Sequence, residues 1–296
     1  MFSLLRQRIR RRLLGRRLSQ RLLDDHTTIG KLGNLYYRGQ YPGISPEGYV
    51  PVIRDFEFSC HSQNGEDGII LYLLSRINVE NHFIVEIGTE DGHECNSTNL
   101  ILNFGWHACL IESDVEMASN AVRYFRDANA GERVQVINER ATPENINRLI
   151  SKTAMPRQPD VLSIDIDSHD YWLWEAMDVI EPRLVVIEYN ASFGPSRSVT
   201  IPYGERPQLT KEQLKYYQGA SITALSRLGK RKGYELIAGD SKGVNAFFIR
   251  NDICTTAGLS PATPEQVYRL HFRRSQKRTP EEQLQIISEF ELTEVN

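Results

Sequence analysis

The segment SIDIDSHDYW, residues 163–172, places three carboxylates and one histidine within six positions, directly after an apolar run. Carboxylates and imidazole can transfer protons, and clustered oxygens can hold a Mg²⁺-like ion. The competing interpretation is structural, because acids at the start of a helix cap free N–H groups. Capping suits Asp167 and Asp170 better than Asp165, which precedes the cap.

Two chemical roles are predicted for this segment. Asp165 forms three oxygen ligands for a Mg²⁺-like ion together with Glu188 and Asn190, which end the next predicted strand. In a metal-free route His169, with an ordinary pKa of about 6.5, is a general base for a hydroxyl. The candidate catalytic residues are therefore Asp165, Asp167 and His169. The alternative for His169 is a surface histidine on the first turn of a helix.

Alternating strand and helix patterns position these residues, and they indicate an α/β fold with a parallel sheet covered on both faces. Strands are predicted at 82–87, 108–111, 134–137, 161–166, 184–189, 234–238 and 244–250. Helices are predicted at 96–104, 115–129, 142–150, 168–179 and 211–232. The connection between the last two strands is so short that they must form an antiparallel hairpin.

The predicted strand ends carry candidate cofactor contacts, since ligands of such sheets bind beyond the carboxyl ends of the strands. EIGTEDG (86–92) contains glycines that permit a tight turn and a close approach of a cofactor. Glu112 can accept from both hydroxyls of a ribose, and Asn138 and Glu139 lie where an adenine edge would be read. The GxGxxG pattern of nicotinamide cofactors is absent from this turn. SQNGED (62–67) is either a loop that closes over the cofactor or a helix cap that begins at Ser62.

Charge and composition limit the partners. The chain of 296 residues has a net charge of −3, yet residues 1–23 hold eight arginines and no acid, which leaves −11 for the rest. An acidic body argues against nucleic acid as a partner.

The arm is predicted to be a basic amphipathic helix, which could lie on an anionic membrane surface, contact a protein partner, act as a transit peptide or remain solvated. Four cysteines without CxxC spacing indicate a reducing compartment, hence a cytoplasmic protein, and the basic arm at 1–23 adds a peripheral position at the inner membrane face as an expectation.

Four segments are predicted along the chain. A basic helical arm at 1–23 precedes a turn-rich linker at 24–59, a main domain at 60–255 and a helical tail at 256–296. The tail contains two Thr-Pro pairs, at Thr263 and Thr279, each of which indicates a capped helix start. We expect the tail either to pack on the main domain or to mediate assembly, including a homo-oligomer.

Residues 60–250 resemble the FkbM-type class I S-adenosylmethionine-dependent methyltransferases. The resemblance is carried by six ordered blocks: SQNGEDG, FIVEIGTEDG, TPENIN, SIDIDSHDYW, VVIEYNASFGP and GASITALSRLGKRKGYELI with GVNAFFIR. It implies a Rossmann-like, mostly parallel seven-stranded sheet with a C-terminal antiparallel hairpin, and it implies methyl transfer. Similar proteins often serve polysaccharide or natural-product pathways, which suggests a sugar hydroxyl of a glycan or glycolipid-linked acceptor. Catechol-type and macrocin-type O-methyltransferases are similar in having an acidic metal site at these strand ends.

The resemblance also implies binding of S-adenosylmethionine through Glu86, Gly88, Gly92 and Glu112. With the neighbouring positions, the predicted cofactor residues are Glu86, Gly88, Asp91, Gly92, Glu112, Ser113, Asn138, Glu139 and Gln63. The competing hypothesis from another class is a non-catalytic methyltransferase-like module that binds a partner or scaffolds an assembly.

Overall fold

The alternating apolar runs form a seven-stranded sheet in the computed structural model. The structure describes residues 52–296. The predicted arm at 1–23 and the part of the predicted linker before residue 52 lie outside the described residues. The strand order is β3-β2-β1-β4-β5-β8-β7. Its strands are β1 Phe83–Ile87, β2 His107–Glu112, β3 Val134–Asn138, β4 Val161–Ile164, β5 Leu184–Glu188, β7 Tyr234–Gly239 and β8 Asn245–Arg250. The first five are parallel, whereas β8 runs antiparallel to both β5 and β7. The predicted mostly parallel sheet with a final antiparallel hairpin is confirmed.

Helices cover both faces of this sheet, as a doubly wound arrangement requires. They are α1 Glu66–Ile77, α2 Thr98–Phe104, α3 Val115–Asp127, α4 Ile146–Ser151, α5 Asp170–Ala176, α6 Ile222–Arg231, α7 Asn251–Thr256, α8 Pro264–Val267, α9 Phe272–Ser275 and α10 Pro280–Ile286. Buried side chains of α4, α5 and α6, including Trp174, pack on one face of the sheet. Those of α1, α2 and α7, together with Phe125 of α3, pack on the other.

The prediction of one long helix at 211–232 is wrong. Within this range only Ile222–Arg231 is α-helical. Gly219 has φ +58 and Ala220 pairs with Thr200 in an antiparallel bridge. These backbone groups therefore bond across the fold instead of continuing a helix. Ser221 then begins α6, since its side chain accepts from the backbone N–H of Ala224.

The chemistry-bearing segment is more irregular than predicted. Strand β4 ends at Ile164, two residues early, and α5 begins at Asp170. The Asp170 carboxylate accepts from the N–H groups of Ile166, at 2.8 Å, and Ser168, at 3.1 Å, which holds residues 165–169 in a loop. The helix predicted from residue 142 likewise starts only at Ile146, because the turn that contains Pro143 precedes it.

The tail packs on the main domain. Both predicted caps are confirmed: the side chains of Thr263 and Thr279 form capping boxes at the starts of α8 and α10. The sequence did not predict α9, nor the short strand β9, Thr293–Glu294, which pairs with β6, Val199–Thr200. Within residues 52–296, each helix is too short or too polar to cross a bilayer.

Candidate active site

A cavity of about 1220 Å³ opens at the carboxyl ends of the parallel strands. Its walls come from the segments that follow β1, β2, β3, β4 and β5, from the loop before α1, and from the tail. This is the position at which open α/β sheets bind their ligands. The volume suffices for a cofactor and a small acceptor together.

The turn after β1 passes directly against the loop after β4. Gly88 has φ +86, and a Cβ on it would lie 1.7 Å from the backbone oxygen of Asp165. Its N–H donates to the Ile111 carbonyl at 2.9 Å, which ties the turn to β2 as well. Only glycine fits this position, so Gly88 fixes the spacing between the predicted cofactor turn and the predicted catalytic loop.

Two other residues predicted from this turn lie outside the cavity wall. Gly92 faces α3, where a Cβ would come within 2.8 Å of the Phe125 ring. The Asp91 carboxylate accepts from the backbone N–H of His93 at 3.1 Å, and Nδ1 of His93 lies 3.1 Å from the same oxygen. The structure therefore gives Gly92 a packing role and gives Asp91 a role within its own loop.

The acids of β1 and β2 both line the cavity, as the predicted cofactor site requires. Glu86 is buried, and its two oxygens accept from the N–H groups of Asn96 and Ser97 at 3.0 and 2.9 Å. Burial raises the pKa of Glu86, while these donors lower it. Glu86 thus mainly holds the loop before α2.

Glu112 connects the turns after β1 and β2. Its carboxylate accepts from the N–H groups of Glu90 at 2.8 Å and Asp114 at 2.7 Å, and from the Ser113 hydroxyl at 3.3 Å. An ionised carboxylate has about four lone-pair sites, so acceptor capacity is left for a ligand hydroxyl. Ser113 also lines the cavity.

The remaining predicted cofactor residues differ in their positions. Asn138 lies outside the cavity wall, and its amide donates to the Glu112 carbonyl at 2.9 Å and so braces the end of β2. Glu139 lines the cavity and pairs with Arg148. Gln63 is exposed and also lines the cavity.

Ser62 supports the start of α1, although the N-cap is Gly65, and the interpretation of SQNGED as a loop over the cofactor stays a prediction. Ser62 and Asp67 bond reciprocally: the Ser62 hydroxyl accepts from the Asp67 N–H at 3.0 Å, and the Asp67 carboxylate accepts from the Ser62 N–H at 2.9 Å. Asn64 and Glu66 instead line the cavity beside Gln63.

Three carboxylates converge at the ends of β4 and β5. Asp165, Asp167 and Glu188 each offer an oxygen, and these oxygens all lie within 4.8 Å of one another. Desolvation by the surrounding protein raises the pKa of Asp165 well above its usual range and the neighbouring Glu188 raises it further, although Asp165 remains exposed to the cavity. The same desolvation raises the pKa of Glu188 to about 8, although Arg274, 3.7 Å away, opposes this. A carboxylate whose pKa lies near the working pH is a suitable proton acceptor.

Asn190 is not part of this cluster. Its side-chain oxygen accepts from the Ser192 N–H and from Arg274, both at 3.0 Å, and its amide donates to the carbonyls of Tyr216 and Gln218. The side chain is buried and committed to protein partners. The carboxylate that stands near Asp165 and Glu188 is that of Asp167, which has a positive φ of 53 and lines the cavity.

His169 is buried, so the alternative of a surface histidine is wrong. Its Nε2 lies 3.2 Å from the Pro202 carbonyl and its Nδ1 lies 3.3 Å from the Ser168 hydroxyl. A carbonyl can only accept, so Nε2 carries the proton and Nδ1 is the basic nitrogen. Burial lowers the pKa of His169, and Arg206 lowers it further. The imidazole therefore lines the cavity in its neutral form at neutral pH.

Sequence reasoning missed the basic residues of the cavity. Arg140 and Arg206 lie near His169, and Lys242 with the tail residues His271, Arg273 and Arg274 forms another part of the wall. The signal was present in HFRRSQKR, but that segment lies outside the family resemblance.

No protein-family profile and no curated protein matches this sequence. Similar solved structures include a Staphylococcus aureus protein described as a caffeoyl-CoA O-methyltransferase, with 18% identity, a TM-score of 0.43, and coverage of 74% of this chain and 99% of that chain. An O-methyltransferase from Bacillus cereus in complex with S-adenosylhomocysteine has 16% identity, a TM-score of 0.41, and coverage of 74% and 89%. Phosphoethanolamine N-methyltransferase 2 from Haemonchus contortus has 16% identity and a TM-score of 0.38, and the match covers 56% of this chain but only 36% of that protein. Identities this low leave the activity to be inferred from the residues of the site.

Proposed function

We propose that this protein is an S-adenosylmethionine-dependent O-methyltransferase of the FkbM type, which acts on a sugar hydroxyl of a glycan or glycolipid-linked acceptor. The observation that carries the proposal is the content of one cavity. The Gly88 turn and Glu112 line it at β1 and β2, and the carboxylates of Asp165 and Glu188 line it at β4 and β5. The sugar acceptor rests on the family resemblance.

Glu112 is proposed to accept hydrogen bonds from the ribose hydroxyls of the cofactor, because its carboxylate keeps acceptor capacity on the cavity side. The bare backbone at Gly88 allows close approach. Glu139 and Ser113 stand beside the proposed adenosine site. When bound, S-adenosylmethionine supplies a methyl group on a positively charged sulfur, and the protein must chiefly align that carbon with the acceptor oxygen.

The acceptor hydroxyl must lose a proton as its oxygen bonds to the methyl carbon and the carbon–sulfur bond breaks. Asp165 is the proposed recipient, because it follows β4 directly, lines the cavity and has a raised pKa, which favours the protonated form. Nδ1 of His169 is the alternative recipient, through the Ser168 hydroxyl.

Asp165, Asp167 and Glu188 also fit a hard divalent cation such as Mg²⁺, which prefers carboxylate oxygens. Such an ion would lower the pKa of the acceptor hydroxyl. Asp167 therefore replaces Asn190 as the third ligand in this proposal.

Isothermal titration of the full chain with S-adenosylhomocysteine tests the proposal. We expect micromolar binding, weakened at least about tenfold in Glu112→Gln, which loses a charged acceptor. Glu116→Gln is the matched control, because Glu116 is exposed on the first turn of α3 and does not line the cavity. Thermal unfolding of both variants separates lost affinity from lost folding. An unmodified chain that does not bind the cofactor would support the non-catalytic binding module instead.

A further inference from the structure

The tail and the β7–β8 turn together form one basic wall of the cavity, made of Lys242, His271, Arg273 and Arg274. The two segments are joined at Phe272, whose N–H donates to the Lys242 carbonyl at 2.8 Å. The Lys242 ammonium lies 4.7 Å from the centre of the Phe272 ring. Gly243 permits this contact, since a Cβ there would come within 2.5 Å of the Arg269 carbonyl. The basic wall is therefore a built feature of the fold.

Arg274 is the member of the basic wall that the protein itself neutralises. It is largely buried, stands 3.7 Å from Glu188 and donates to the Asn190 side chain at 3.0 Å. Its guanidinium is therefore held by side chains at and just after the end of β5. It is therefore not available to an additional anion.

The other three members of the basic wall keep unused donors. Among residues 52–296, the side chains of Lys242 and Arg273 form no ion pair and donate no hydrogen bond. Nδ1 of His271 accepts from the N–H groups of Arg273 and Arg274, at 3.2 and 3.4 Å, so Nε2 carries the ring proton. Burial lowers the pKa of His271 to about 4, so at neutral pH it is a neutral donor.

We propose that Lys242, Arg273 and His271 bind an oxyanion group of the acceptor, so that the acceptor is an anionic sugar rather than a neutral one. This inference rests on the proposed methyl transfer. The oxyanion is a phosphate ester or a carboxylate, both of which accept from a guanidinium fork and an ammonium. The basic wall holds this group while the hydroxyl to be methylated faces Asp165.

The same cavity offers an alternative position for an anion, at Arg140 and Arg206. Arg206, however, already donates to the Asp167 carbonyl, and Asp170 and Asp167 lie near its charge. Arg140 is as exposed as Arg273, so the commitment of Arg206 to protein partners decides between the two positions. We therefore assign the oxyanion to the basic wall, and the two positions can be separated by mutation.

Binding of glucose, glucose 1-phosphate and glucuronate to the full chain, with and without saturating S-adenosylhomocysteine, tests this inference. At least one anionic sugar is expected to bind about tenfold or more tightly than glucose. The double variant Lys242→Gln/Arg273→Gln should lose this preference. The charge-matched control Lys211→Gln/Lys277→Gln, at two exposed positions that do not line the cavity, should keep it. Which anionic sugar prevails distinguishes phosphate from carboxylate.

Equal binding of the three sugars would overturn the inference, as would a preference that survives the double variant or disappears in Arg140→Gln/Arg206→Gln instead. The cofactor titration provides a separate readout: affinity for S-adenosylhomocysteine should stay within about twofold in the double variant. If the unmodified chain fails to bind the cofactor, the proposed function fails. If the cofactor binds and the anionic preference is absent, only the oxyanion assignment fails.

Discussion

Gly88 offers the sharpest test of how the site is assembled. Its positive φ of 86 is unfavourable for alanine, which costs about 1–2 kcal/mol in the left-handed region. In addition, the new Cβ would lie 1.7 Å from the backbone oxygen of Asp165, and a backbone atom cannot rotate away. Overpacking of this kind costs about 1–3 kcal/mol. We therefore expect Gly88→Ala to lower the free energy of unfolding by about 2–5 kcal/mol.

Gly105 provides the matched control, because it isolates the conformational part of the cost. It also has a positive φ, 72, but a Cβ there meets nothing within 4 Å among the described residues. Gly105→Ala should therefore lose only about 1–2 kcal/mol. Urea denaturation followed by circular dichroism measures both losses, and titration with S-adenosylhomocysteine measures function.

The clash in Gly88→Ala can be relieved only if the turn after β1 and the loop after β4 move apart. Binding of S-adenosylhomocysteine should therefore weaken in Gly88→Ala and stay unchanged in Gly105→Ala. Equal stability losses in the two variants would refute the proposed close packing at Gly88. A folded Gly88→Ala variant with full cofactor affinity would refute the link between that packing and the site.

Two further predictions concern the acid cluster. Burial raises the pKa of Glu188 from 4.5 to about 8, so the folded chain keeps a proton that the unfolded chain releases. The free energy of unfolding should therefore fall as the pH rises from about 5 to about 8. Glu188→Gln should flatten this decline in urea denaturation, and an unchanged slope would contradict the shift. Mg²⁺ should raise the melting temperature, more at about pH 8 than at about pH 6, because the carboxylates must lose their protons to bind it. Asp167→Asn should remove the effect and Glu205→Gln should keep it, whereas an unchanged melting temperature in excess Mg²⁺ would exclude the ion.

Much of the fold could be predicted from the sequence, because strand burial, helix periodicity and helix caps depend on residues close together in the chain. The seven strands of the main sheet were predicted to within about two residues at each end, and the caps at Thr263 and Thr279 were predicted from a Thr-Pro pair alone. The failed helix at 211–232 shows the limit of this reasoning. Its helical pattern was overridden by the bridge between Ala220 and Thr200, a contact that no local pattern encodes.

For the site, the sequence by itself determined which strand ends carry acids and which turn contains glycine. Those features follow from the position of each residue relative to its own strand. Only the tertiary structure decided which side chains meet. Asp167 takes the place predicted for Asn190 because the irregular loop after β4 brings its carboxylate beside those of Asp165 and Glu188, while Asn190 is held by Arg274 from the distant tail. Convergence of this kind depends on contacts between segments far apart in the chain, and these contacts form only when the whole domain folds.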